Sequence, residues 1–99
     1  MEMDPKKSYL VSVDGSITEI SPINGKEFEL EEVQRKVEGY IQIVQLNEDR
    51  IMIVNENGKI VGLRYNFIAT GIAEMFHALW AGDYICGEAI VCPSSMLTW

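Results

Sequence analysis

The sequence is short of the groups that most protein chemistry requires. Histidine occurs once, at His77, and cysteine twice, at Cys86 and Cys92. A zinc site takes three or four Cys, His or carboxylate ligands at characteristic spacings. None of those spacings is present, so neither a metal nor another cofactor is implied. G-x-x-x-x-G-K-[ST] and G-x-G-x-x-G are both missing, which removes the two common phosphate cradles. Positive charge is scarce: eight Lys and Arg stand against fifteen Asp and Glu, a formal net charge of -7. Affinity for nucleic acid rests largely on cations that neutralise phosphates, and here they are few and scattered, so nucleic-acid binding is not expected. Long apolar runs are missing too. None nears the roughly 20 residues of a membrane-spanning helix, and the opening MEMDPKKSYLVSVDG has no apolar stretch of the kind that marks a secretory leader. The expected address is the cytoplasm, where an acidic surface serves solubility.

What is there describes one folded domain. A chain of 99 residues, 47% hydrophobic and 23% charged, has near-average globular composition and room for a single core. Residues 1–7 are expected to form a flexible N-terminus, 8–92 a single domain and 93–99 a C-terminal tail. The pairs Asp14-Gly15, Asn24-Gly25 and Asn57-Gly58 supply the positive φ angles of hairpin turns. Around the first, Tyr9–Val13 and Ile17–Ile20 read as an opening hairpin, which Pro22 ends because proline cannot donate to a ladder. Leu30–Glu38 reads as a short helix, with Leu30, Val33 and Val37 in one apolar stripe. Glu31–Arg35 and Glu32–Lys36 are i, i+4 pairs on its solvated face, and Gly39 is its expected stop. Tyr40–Leu46 and Arg50–Asn55 then form a hairpin. Ile41, Ile43, Ile51 and Ile53 line one of its faces and Val44, Leu46, Met52 and Val54 the other, which places both strands mid-sheet and covered from both sides at least in part. A short strand over Lys59–Leu63 follows.

The second helix is expected over Phe67–Ala81, with Asn66 as N-cap and Gly82 as stop. At 100° per residue, Met75, Ile68, Leu79, Ile72, Phe76, Ala69, Trp80 and Ala73 share an apolar arc of about 160°. Phe67, Gly71 and Ala78 widen it, leaving only Asn66, Thr70, Glu74 and His77 polar. An element with one face in water shows more polar surface than that. A homodimer seam along Phe67, Gly71 and Ala78 is therefore expected; the alternative is that the opening hairpin, or the tail with Met96, Leu97 and Trp99, folds over the helix. A last strand, Asp83–Cys92, ends at Pro93. Along it Cys86 and Cys92 would stand ~20 Å apart, beyond the about 7 Å of a disulfide, and read as small buried hydrophobes. The expected fold is α+β: a mainly antiparallel sheet with two helices, with an N-terminal hairpin ahead of a β-α-β-β-α-β core as in ferredoxin-like folds. The strand order across the sheet stays open.

Three segments carry a family resemblance: FELEEVQRKVEGYIQIV from Phe28, IMIVNENGKIVGL from Ile51, and NFIATGI from Asn66 with DYICGEAIVC from Asp83. Together, over roughly residues 8–92, they resemble the small phage- and plasmid-associated proteins grouped as domain of unknown function 3846. One departure is Glu38, where that family often has a second glycine before Gly39. No activity comes with the resemblance, so no catalytic residue transfers. What it implies is a setting: an accessory protein of mobile elements in a bacterial cytoplasm.

The remaining chemistry is thin. Glu74 lies one turn before His77, close enough to favour an imidazolium, yet a surface histidine beside a carboxylate is commoner than an acid/base dyad. The hairpin Asn55-Glu56-Asn57-Gly58-Lys59 could offer a carboxylate and an amine to a ligand, although turn chemistry already accounts for its Asn and Gly. Tyr40, Asn55, Glu56, Asn66 and Thr70 are the candidate ligand-binding residues, with Asn66 as a plain cap and Tyr40 as a plain strand residue the alternatives. No nucleophile is coupled to a base. The expected function is a non-catalytic module that binds a host or mobile-element protein. The alternative is a small-ligand binder, with a nucleotide as one candidate ligand, using backbone amides and Tyr40.

Overall fold

The computed structural model describes residues 3–97 and 99; Met1 and Glu2 of the leading segment and Thr98 of the tail lie outside the described residues. The elements are β1 (Ser8–Val11), β2 (Ile17–Ile20), α1 (Leu30–Val37), β3 (Ile41–Gln45), β4 (Arg50–Asn55), α2 (Phe67–Met75) and β5 (Ala89–Pro93), followed by one 3-10 turn over Ser94–Met96. The five strands form one sheet in the order β2-β1-β5-β4-β3, antiparallel at every pairing. The α+β class stands, and β5 fills the middle between two hairpins.

Strand alternation sends apolar residues to both faces. Ile51, Ile53, Ile90 and Cys92 pack with Phe28, Val33 and Val37 around α1. Met52, Val54, Ala89 and Val91 pack with Val11, Ala69 and Ala73 around α2. The central strands are thus covered from both sides, as the two-sided pattern of β4 requires. β3 is different: it has the expected alternation but forms an edge, because β4 is flanked by β3 and β5 and no strand among the described residues lies beyond β3.

That same arrangement removes the expected strand at Lys59–Leu63. With both sides of β4 occupied, the chain leaving Asn55 has no ladder to join and closes instead into turns, Val61 N–H donating to Asn57 O and Leu63 N–H to Gly58 O, both at 2.9 Å. Gly58 does not have a positive φ. Its need for glycine is space, since a Cβ there would come within 2.6 Å of the Cys86 carbonyl oxygen. The last strand is also shorter than expected. Before Gly87, which sits at φ +91, the chain pairs with residues 64–66 instead, through a bridge between Tyr65 and Cys86. Cys86 and Cys92 therefore do not share a strand. Both are buried and free, and burial pushes the Cys92 thiol up to about 12.

Both helices end on a left-handed residue that is not glycine. In α1 it is Glu38 at φ 66, with Glu38 N–H donating to Arg35 O and Gly39 N–H to Gln34 O. In α2 it is His77 at φ 55, with His77 N–H donating to Glu74 O and Ala78 N–H to Ala73 O. These paired bonds are the Schellman pattern. They stop α2 at Met75, six residues before the expected end, so Leu79 and Trp80 lie off the helix. The expected solvated face of α1 also changes: Glu32 is buried and accepts from Ile23 N–H at 2.9 Å and Glu29 N–H at 3.4 Å. Its carboxylate serves the backbone rather than Lys36.

Candidate functional site

Two hollows open where the chain after β4 meets the chain after α2, and Asp83 and Tyr84 wall both. The narrower holds about 160 Å³ and is lined by Asn55, Glu56, Gly58, Lys59, Tyr84 and Cys86 among others. The other, about 450 Å³, is a shallow dish between Tyr65, Thr70, Glu74 and Tyr84. Lys59 ties the ridge between them together: its ammonium is paired with the Asp83 carboxylate and lies 4.5 Å from the Tyr84 ring centroid. Tyr84 in turn meets Tyr65 edge-on, centroids 5.9 Å apart. The pairing holds the Asp83 carboxyl below its ordinary value, helped by the Tyr84 N–H, and raises the Lys59 ammonium above its own.

These segments and α2 also carry large apolar side chains that stand in water. Trp80 is 88% exposed, Ile60 85% and Met75 76%, with Val61, Tyr65 and Tyr84 also exposed. The early stop of α2 bears on Trp80, which lies beyond His77 and off the helix, but not on Met75, which is exposed on the helix itself.

The structure separates the candidate ligand residues into two kinds. Asn66 is fully buried; its Oδ1 accepts from Ala69 N–H and its Nδ2 donates to Val11 O and to Gly87 O, all at 2.9 Å. Thr70 is buried with its Oγ1 accepting from Ile85 N–H at 2.9 Å, though it borders the dish. Asn55 donates from Nδ2 to Val37 O at 3.0 Å and accepts from Asn57 N–H at 2.8 Å. These three side chains hold the fold. Tyr40, 71% exposed, and Glu56, also exposed, remain in solvent, joined by a Glu56 N–H to Tyr40 O bond of 2.8 Å; Glu56 alone of the two lines the narrower hollow.

A family model described as Domain of unknown function (DUF3846) matches residues 4–95. The chain belongs to the DUF3846 family. No curated protein and no solved structure matches it. The family match spans every strand and both helices of this DUF3846 chain.

Elsewhere in the DUF3846 fold, His77 and Glu74 both stand in solvent beyond and at the end of α2. Of the proposed seam residues, Phe67 is half exposed, and its Cζ lies 3.3 Å from where a Cβ on Gly15 would stand. Gly71 has open space around it, and Ala78 packs against the α2-side core. The chain after β5 lies on the other face: Met96 and Leu97 pack on the α1 side, and Trp99 Nε1 donates to Phe28 O at 2.7 Å. Among the described residues no helix is long and apolar enough to cross a membrane. Sequence reasoning offered Lys59 as an amine open to a ligand but missed its pairing with Asp83, and it missed Asp83 and Trp80 as surface features, since they depend on the early stop of α2 and the displaced loop after β4.

Proposed function

We propose that this DUF3846 chain is a non-catalytic interaction module that docks a host or mobile-element protein on the aromatic surface beyond α2. The exposure of Trp80, Met75 and Ile60, together with the exposed Tyr65–Tyr84 pair, carries the reading. Tyr, Trp and Met are the residues enriched in interface centres, where burying one of them against a partner supplies much of the affinity. The Lys59–Asp83 pair beside them offers polar contacts at the rim. The mobile-element setting rests on the family resemblance alone. The test compares capture by the native chain with capture by Trp80→Asp and Met75→Asp variants of unchanged thermal stability. A specific partner held by the native chain and lost from both variants supports the reading; equal capture by all three ends it.

A small ligand in the narrower hollow is the second reading, favoured by the convergence of Glu56, Lys59 and Tyr84 there. Its size argues against a nucleotide, because about 160 Å³ falls below the ~300–1,000 Å³ of typical ligand sites. Two carboxylates, Glu56 and Asp83, at its wall also oppose an anion. No rise in melting temperature is expected with nucleotides at millimolar concentration. A rise that grows with concentration would favour the ligand reading instead.

A further inference from the structure

β3 is the free edge of the sheet opposite β2. Tyr40 O accepts from Glu56 N–H at 2.8 Å and Leu46 N–H donates to Arg50 O at 3.0 Å. Backbone groups in an antiparallel pair turn inward at every second residue, so Gln42 and Val44 also bond to β4. Those of Ile41, Ile43 and Gln45 point outward, and among the described residues no hydrogen bond reaches them.

Natural sheets guard such edges with charge, proline, bulges or short strands. β2 is guarded: it has four residues, Glu19 lies 3.4 Å from Lys7, and Pro22 follows. β3, one residue longer, has no charge, proline or bulge. It reads Ile-Gln-Ile-Val-Gln, with no charge and unbroken register against β4, in a chain of net charge -7. Its central Ile43 is 44% exposed.

We propose that β3 pairs antiparallel with β3 of a second copy across a two-fold axis at Ile43, joining two sheets into one of ten strands. The outward groups stand at every second residue and are symmetric about Ile43. Self-pairing therefore places Ile43 on Ile43 and Ile41 on Gln45, and each such pair exchanges two hydrogen bonds. The two exposed Ile43 side chains meet on the α1 face as a cross-strand pair. A second copy is the occupant because the edge is its own complement in length, register and spacing of donors and acceptors, and because the five paired residues, Ile41 to Gln45, set no charge against charge in an acidic molecule. The α2 edge along Phe67 and Ala78 suits a seam less well, since Gly15 already meets Phe67 and Ala78 is turned toward the core.

The experiment is sedimentation equilibrium from about 10 µM to about 1 mM, the range expected for a seam smaller than the ~1,600 Å² of a standard interface, with amide exchange read at both ends of it. The native chain should move from one copy to two. Over the same range the amides of Ile41, Ile43 and Gln45 should slow at least tenfold, while those of Gln42 and Val44 are slow throughout. Ile43→Pro removes a donor that bonds to nothing within one chain, and Ile43→Lys sets two ammonium groups face to face. Both should stay single at 1 mM with their melting transitions retained, and Ile23→Lys, beyond the opposite edge, should associate as the native chain does. A native chain that stays single at 1 mM overturns the proposal. So does association that either Ile43 variant leaves intact, or amide slowing that does not alternate. The seam is separate from the aromatic surface beyond α2, so neither result bears on that reading.

Discussion

Glu38 occupies a backbone conformation that costs a residue with a Cβ roughly 1–2 kcal/mol, and it places a carboxylate at the negative end of the α1 dipole. Both penalties vanish with glycine, partly offset by the entropy that glycine gains when unfolded. Glu38→Gly is expected to stabilise the fold by about 1 kcal/mol, a rise in melting temperature of roughly 4–8 °C for a domain of this size. Gly39 is the opposite case. Its φ is ordinary, but a Cβ would come within 2.7 Å of Asn55 Nδ2, which is itself bonded to Val37 O, so Gly39→Ala should destabilise. Asn66 carries more than a cap. Replacing it by Ala strands two buried carbonyls and one helix amide, and a loss of roughly 3 kcal/mol is expected from chemical denaturation. A midpoint within experimental error of the native one would mean that Asn66 is free to serve a ligand after all. Cys92, with its thiol held up to about 12 by burial, should resist iodoacetamide at pH 8 in the folded chain and react once unfolded, as intact mass will show.

At the scale of elements, the pairing of Lys59 with Asp83 fastens the loop after β4 to the loop after α2. Asp83 titrates below its ordinary 3.8 and Lys59 above its ordinary 10.5. The carboxylate's contribution is present above about pH 4 and lost as pH falls through the lowered value; the ammonium's is present below 10.5 and lost as pH rises through the raised one. The stability difference between the native chain and Asp83→Asn should therefore be flat between those limits and close outside them. Solvent screens the pair, so the difference will be small. Several elements were legible because their causes are local. The apolar pattern of Arg50–Asn55 gave β4 its full extent, and the Leu30–Val37 stripe gave α1. The turn after α2 was not legible, because His77 in a left-handed conformation has no sequence signal that competes with Gly82. Asn66 was legible as the cap of α2, but not its second role, nor that of Thr70, because their partners Val11, Gly87 and Ile85 lie far along the chain. The expected strand at Lys59–Leu63 failed for a non-local reason, since whether β4 has a vacant side depends on where β5 goes.

For the whole molecule, β5 is the decisive strand. It pairs with β1 on one side and β4 on the other, and through Ile90 and Cys92 on one face and Ala89 and Val91 on the other it enters both cores. An isolated two-stranded hairpin is at best marginal in water. As the chain is synthesised from its N-terminus, both hairpins and both helices emerge before β5, with nothing to join them. Their apolar faces must wait in that state until the residues through Pro93 are made, at a rate of roughly 5–20 residues per second. Joining the two hairpins into one sheet thus waits for β5, whose pairing with β1 spans a long chain separation, the kind of topology that slows folding. The interval before closure is when this chain is most open to chaperones, to proteases and to pairing with the wrong strand.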